Sequence, residues 1–319
     1  IAGLLLSAVA VFEHTRHWLL YAPLKDALGI RSKLVSYLGR GDSLRAVGSP
    51  GDAIVLGYVI AVAMGFFLYL KKSIPGGRIW TLGLVLLVAG LYSPLSRGPW
   101  LGAAIIVLVF VVTGRNKMRG IARLVLISVL ALPLLMASPI GYKVRNYLPW
   151  VGTAETQTVD FRAQLLEQSI SVIRKNPLFG SSNYLDDQAM QDLAIGSGFV
   201  DIVNTYVGIA LSRGLVGLFL FLGVFVVVIY RLFKAMQRLA DKNDEHYLLG
   251  QALLSVLVGI LAMIGTVSSV SVIPVVYWFV AGLGVAYVRM TGPKTATVAN
   301  PAEPEQPAGP NYIPGLSRR

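Results

Sequence analysis

Cysteine is absent from the 319 residues, which removes disulfides, thiolate nucleophiles, iron–sulfur clusters and cysteine-ligated zinc. Charge is also scarce. Only 14% of residues are charged, where a soluble globular protein carries about 25%. Histidine occurs three times. His14 and His17 stand three apart beside Glu13, yet nothing suggests a third ligand, so no metal is expected. No Walker motif, no GxGxxG followed by an acid and no GxSxG is present. Acidic residues are outnumbered 16 to 28 by Lys and Arg, for a net charge of +12. In a soluble chain that excess would suggest nucleic acid. In a membrane protein it is met by cytoplasmic anchoring and anionic lipid, and no nucleic-acid partner is expected.

What the chain has in quantity is apolar residues, 55% of the total. A membrane-crossing helix needs about 20 mainly apolar residues, and seven segments come close: 53–70, 79–93, 100–113, 121–137, 200–230, 247–267 and 271–290. The expected fold is therefore an all-α polytopic membrane protein, a helical bundle in the lipid bilayer. Residues 1–12 are too short to cross and read as the end of a transmembrane helix that begins upstream, so the chain is expected to be a piece of a longer protein. Segment 51–137 reads as four helices with a tight external hairpin at 92–99, where Pro94 and Pro99 interrupt the apolar run. Segment 200–290 reads as three more, and 291–319, rich in Pro and Ala, as a disordered cytoplasmic tail.

Three short connections fix the sidedness. Lys71, Lys72 and Arg78 lie in one; Arg115, Lys117, Arg119 and Arg123 in another; Arg231, Lys234, Arg238 and Lys242 in a third. Basic loops stay in the cytoplasm, and placing all three there gives a consistent alternation. Two long segments, 13–50 and 138–199, then face outward as loops, the second large and partly helical. The first carries six basic residues against three acids. A basic external loop runs against the usual bias, so an anionic ligand or phospholipid headgroups are expected to hold those charges there.

Arg97 and Arg213 are the basic residues that loops do not absorb. Arg97 sits at the mouth of the hairpin, where a guanidinium can grip a phosphate with paired hydrogen bonds; anchoring at the interface beside Trp100 is the plainer use. Arg213 falls at the outer boundary of segment 200–230, below Asp201 and Asn204, where it serves either a ligand or a structural pairing. Ser212-Arg213-Gly214 reads equally well as a break between a surface half-helix and the span. In the large loop, Asp160 can cap a helix running to about Lys175, with Phe161, Leu165, Ile170 and Ile173 as its apolar face and Asn176-Pro177 as its stop. Arg162 would then oppose the dipole of its own first turn, which points to a ligand or to an ion pair with Asp160 or Glu155.

Taken together, these stretches resemble a known family. Ser96-Arg97-Gly98-Pro99-Trp100-Leu101-Gly102 is similar to the hairpin of the O-antigen ligase and polymerase family of bacterial inner membranes. Arg162 followed by Asn176-Pro177-Leu178-Phe179-Gly180 resembles that family's large periplasmic loop. Asn204-Thr205-Tyr206 with Arg213-Gly214-Leu215-Val216-Gly217-Leu218 looks like its next span, and Arg45-Ala46-Val47-Gly48-Ser49-Pro50 like its stretch leading into a helix. The resemblance spans roughly residues 45–290.

It implies a glycosyltransferase that takes a glycan from an undecaprenyl diphosphate carrier on the periplasmic face and joins it to an acceptor glycan or glycolipid, without nucleotide sugar, cofactor or metal. It gives Arg97 and Arg162 the donor's diphosphate, and leaves Arg45, Asn204 and Arg213 as substrate-binding candidates. Proteins of a polysaccharide assembly complex are the implied partners. Ligases of the family commonly place a histidine before the asparagine; here that residue is Val203. The departure favours a polymerase, with Asp201 as the nearest ionisable substitute for a base, although capping a helix that begins near Phe199 is the plainer role for it. Two other functions remain open: a transporter or flippase of lipid-linked sugars, and a non-catalytic subunit of an envelope assembly complex. Charged residues gathered in one site open only to the outside would favour the enzyme.

Overall fold

A computed structural model describes residues 1–27, 39–40, 43–137, 156–193, 200–239, 241–242 and 244–292, and the statements below concern these. Residues 28–38, most of the proposed tail, Phe199, Glu155 and the first part of the large loop lie outside them. The chain is an all-α polytopic membrane protein. Its helices are α1 (Ala2–Arg16), α2 (Ala22–Ala27), α3 (Ala53–Tyr69), α4 (Gly77–Tyr92), α5 (Arg97–Thr113), α6 (Lys117–Ala137), α7 (Thr156–Lys175), the short α8 (Gln188–Gln191), α9 (Thr205–Gln237), α10 (Glu245–Ile264) and α11 (Ile273–Met290). The described β-structure is one antiparallel pair, β1 (Gly39–Arg40) and β2 (Ser43–Leu44).

Three helices, α9, α10 and α11, are long and apolar enough to cross a membrane. The helices α3, α4 and α5 are apolar but 16 or 17 residues long, about 25 Å at 1.5 Å per residue. They form because unbroken apolar runs satisfy their own backbone and need no polar partner in lipid. At the start of α3, Asp52 accepts from the Ile54 and Val55 amides at 2.8 and 2.9 Å, the cap that lets the run begin after Pro50-Gly51.

The centre of the bundle is α10, which packs against α3, α5, α9 and α11. Small residues make that possible, as expected where lipid supplies no hydrophobic drive and helices must gain by close contact. A methyl added at Gly259 would collide with Ile106, one at Gly102 with Met263, and one at Gly65 with Val256. Between α9 and α11, Phe221, Phe225, Tyr277 and Trp278 form an aromatic cluster with centroids 5.0–5.9 Å apart.

The bundle has two distinct ends. At one, the Tyr69 hydroxyl donates to Glu245 at 2.7 Å, the Tyr247 hydroxyl to the Thr113 carbonyl at 2.7 Å, and the Lys71 and Lys242 ammoniums lie over Trp80 and Tyr247. The three basic connections therefore meet at this basic end. At the other end lie residues 44–48, the α4–α5 turn, the approach to α9 and the α10–α11 turn, which carry the motifs.

Candidate functional site

The motif end is built around the α4–α5 turn. Ser93-Pro94-Leu95-Ser96 reverses the chain, with Leu95 in the left-handed region (φ 49°) and almost fully buried. Pro99 does not break a helix; it sits in the first turn of α5, where amides have no intrahelical acceptor and proline costs nothing. Its ring lies against α3, where an added Cβ on Gly57 would come within 2.9 Å of it. Gly98 faces the α10–α11 turn, with an added Cβ 2.5 Å from Thr266 Oγ1. The Trp100 indole donates to the Leu91 carbonyl at 2.8 Å and stacks on Tyr92 at 5.8 Å, tying the two arms of the hairpin together. Gly98, Pro99 and Trp100 of the motif thus each have a packing task.

Arg97 is the first residue of α5, half-buried, with its Nε sealed from solvent. A cation there opposes the helix dipole. An anion bound there would offset that cost, and the amides of the first helical turn favour one too. Arg45 lies on the same turn, its Nε donating to the Pro94 carbonyl at 3.0 Å, while the Ala46 amide donates to the Ser93 carbonyl at 3.2 Å. Two motifs 49 residues apart are therefore in direct contact.

The approach to α9 joins the same end. Thr205 donates through its amide (3.2 Å) and its hydroxyl (3.0 Å) to the Val267 carbonyl, and the Tyr206 hydroxyl donates to the Leu261 carbonyl at 2.6 Å. The cap of α9 is Asn204, whose Oδ1 accepts from the Tyr206 and Val207 amides at 2.9 and 3.3 Å. This corrects the expectation that Asp201 caps a helix starting near Phe199. Asp201 instead stands ahead of the helix and accepts from the Ser268 hydroxyl at 2.5 Å. Asn204 keeps only its Nδ2 donors for a ligand, because its oxygen serves the helix. Asp201, Thr205 and Gly98 all meet the 266–268 turn, which brings the approach to α9 against the start of α5.

A second junction unites the other two motifs. α9 is broken at Gly214, which has φ 67° and ψ −174°, a conformation open in practice to glycine alone. The loop after α7 fills the break. The Leu215 amide donates to the Pro177 carbonyl at 2.8 Å, the Val216 amide to the Leu178 carbonyl at 3.2 Å, and the Ser181 amide to the Leu211 carbonyl at 2.9 Å. Every backbone group freed by a kink needs such a partner. Gly180, also at φ 67°, lies so close that an added Cβ would stand 2.5 Å from the Leu211 oxygen. Arg213 is the last residue before the kink, with an exposed side chain. The break foreseen at Ser212-Arg213-Gly214 is thus present, and the Asn176–Gly180 loop is what satisfies it.

Arg162 is exposed on α7, three residues before the buried Leu165. The helix begins at Thr156, so Asp160 lies inside it rather than at its cap, and Arg162 falls in the second turn. Arg97, not Arg162, is therefore the cation that opposes the dipole of its own first turn. The buried stripe is Leu165, Ser169 and Val172, while Ile170 is exposed; the expected face was rotated. Val172 packs with Leu211, Met190, Ile202 and Val207, which seats α7 on the first half of α9, beside Asn204. Lys175 pairs with Asp187 at 2.5 Å, and Asp187 caps α8 through the Ala189 amide at 3.1 Å. Its carboxyl is held below the usual value of 3.8, first by the bond from Lys175 and then by that amide.

In the sequence Glu13 stands out only as a neighbour of two histidines and as one of the three acids of segment 13–50. It is fully buried, and its carboxylate accepts three backbone amides, described below. Among the described residues, no group of three or more His, Asp or Glu could hold a metal ion.

Fold and site together describe a polytopic membrane protein with an arginine-bearing end made of four sequence-distant segments. Residues 82–222 match the family model described as O-antigen ligase, and this stretch contains Arg97, Arg162, Asp201, Asn204 and Arg213. No curated protein matches the chain.

Proposed function

We propose that the chain is a membrane glycosyltransferase of the O-antigen ligase and polymerase type, joining an undecaprenyl-diphosphate-linked glycan to an acceptor glycan at the motif end. That end faces the periplasm of the bacterial inner membrane in this reading, with the basic end in the cytoplasm. The observation that carries it is Arg97 at the first position of α5 with Arg45 laid on the same turn. Two guanidiniums and a helix N-terminus suit a diphosphate better than a neutral sugar.

The acceptor hydroxyl attacks the anomeric carbon, its C–O bond forming as the bond to the diphosphate breaks. Undecaprenyl diphosphate leaves with the bonding pair. Arg97 and Arg162 stabilise the charge growing on the leaving diphosphate, and Arg45, Arg213 and the Nδ2 group of Asn204 bind the donor. The acceptor's proton passes to Asp201, which is already held toward Ser268, or to water. Val203 removes the family's usual histidine and favours polymerase chemistry. The test is incubation of the purified chain with lipid-linked repeat units, reading product length on a gel: a ladder supports the reading, and unchanged donor with well-folded protein refutes it.

A further inference from the structure

Glu13 is a buried carboxylate for which the proposed reaction has no use. Its Oε1 accepts from the Leu20 amide at 3.0 Å, and its Oε2 from the Val47 and Gly48 amides at 2.9 and 2.8 Å. A carboxylate survives burial when several donors replace its water. Gly48, at φ 52°, turns its amide toward the same oxygen as that of Val47, the arrangement of an anion nest. The next residue of α1 extends the grip: His14 Nδ1 donates to the Leu44 carbonyl at 2.8 Å, and its ring meets Tyr92 edge-on at 5.5 Å. The other side of the same five residues holds the hairpin turn, through Ala46 to Ser93 and Arg45 to Pro94. Residues 44–48 are thus clamped between α1 and the turn from which Arg97 springs.

We propose that Glu13 is a positioning residue for the diphosphate-binding arginines, fixing residues 44–48 so that Arg45 stays on the Arg97 turn. The inference rests on the proposed donor site. It concerns a residue outside the stretch that matches the family.

The test uses the purified full chain and lipid-linked repeat units. Glu13→Gln removes the charge and replaces one acceptor oxygen with a donor group facing amides. The donor KM is expected to rise roughly tenfold or more, with kcat changing less. Glu13→Gln combined with Arg45→Ala should be no worse than Arg45→Ala alone, because residues acting through one contact are not additive. A purely structural role would lower yield and leave donor KM in place. Nitroxide labels on Ser49→Cys and Leu101→Cys, both exposed in a chain without native cysteine, read the clamp without activity. Their distance distribution should broaden in Glu13→Gln.

An unchanged distribution overturns the proposal, as does full additivity, or a normal donor KM in Glu13→Gln beside a raised one in Arg45→Ala. A normal donor KM in Arg45→Ala itself overturns the donor-site reading, while the label pair still decides on the clamp. If Glu13→Gln does not fold, His14→Ala loses only the outer contact and should raise donor KM by less; no rise there overturns the proposal.

Discussion

The two ends of the bundle are held together by different kinds of contact. At the motif end, segments far apart in sequence meet through backbone carbonyls and amides: Ala46 with Ser93, Thr205 with Val267, Leu215 with Pro177. At the basic end the contacts run through side chains, most of them exposed, as in Tyr69 with Glu245 or Lys71 over Trp80, with the buried Tyr247 reaching the Thr113 carbonyl. Backbone contacts hold position closely because no rotatable side chain intervenes. Contacts between long exposed side chains are weak and adaptable. The first kind suits an end that must hold charges in a set geometry. The second suits an end that meets a charged membrane surface, where each cation contributes on its own.

If this contrast is right, the largest effect of any single change should come from Arg97. Arg97→Ala is expected to cut glycan joining by roughly a hundredfold or more, about 2–4 kcal/mol of transition-state stabilisation, while insertion and folding persist. Arg97→Lys should recover only part, since an ammonium cannot offer paired donors. Complementation of a deletion strain checks this, and full activity of Arg97→Ala would remove the diphosphate role. Arg162→Ala is expected to behave alike.

Asp201 comes next. Asp201→Asn keeps an oxygen for the Ser268 hydroxyl but cannot take a proton, so turnover should fall about a hundredfold with normal expression. Wild-type turnover across the pH range would leave Asp201 as a structural partner of Ser268. Because Asn204 caps α9, loss of a helix cap no longer competes as an explanation.

The kink ranks third and tests the backbone half of the contrast directly. Gly214→Ala places a methyl against the Leu178 carbonyl in a conformation that costs a non-glycine residue about 1–3 kcal/mol. A lower melting temperature should accompany partial loss of joining, since α7 and Arg162 lean on that junction. Unchanged melting would mean that the loop does not fill the kink in the membrane.

How much of this was legible in the sequence follows from the same physics. Apolar runs are dictated by lipid, so the helices were readable: a span expected at 247–267 is the helix Glu245–Ile264, and the glycine break at 214 stands where it was suspected. Contacts through the backbone leave almost no trace in residue type. Nothing in Val47-Gly48 announces that their amides face Glu13, and nothing in Pro177-Leu178 shows that their carbonyls receive Leu215 and Val216. Caps fell between these cases. Asn204 and Asp201 are both good capping residues, and only the position of Thr205 under the Val267 carbonyl decides between them. The buried face of α7 departs from its hydrophobic one, since Ser169 is buried and Ile170 exposed, and residue type alone does not foretell that.

At the basic end the expectation is near-silence. Tyr69→Phe deletes the hydroxyl that bonds Glu245 and should change stability by no more than about 0.5–1 kcal/mol and glycan joining not at all. A loss of activity comparable with that of Gly214→Ala would erase the distinction between the ends.

The smallest effect belongs to a side-chain pair that joins the end of α7 to the segment that follows it. Asp187 bonds Lys175 and the Ala189 amide, and both hold its carboxyl below 3.8. A carboxyl with a lowered folded pKa binds its proton more readily when unfolded. Its contribution is therefore complete above 3.8 and disappears as the pH falls through the lower, folded value. The carboxylate is solvent-exposed and screened, so the gain is small and salt-dependent. Between pH 7 and pH 5, wild type and Asp187→Asn should show the same change in melting temperature, and only below pH 3.8 should wild type lose stability faster than the variant. A difference already opening between pH 7 and pH 5 would mean that some other group, not Asp187, titrates at the junction of α7 and α8.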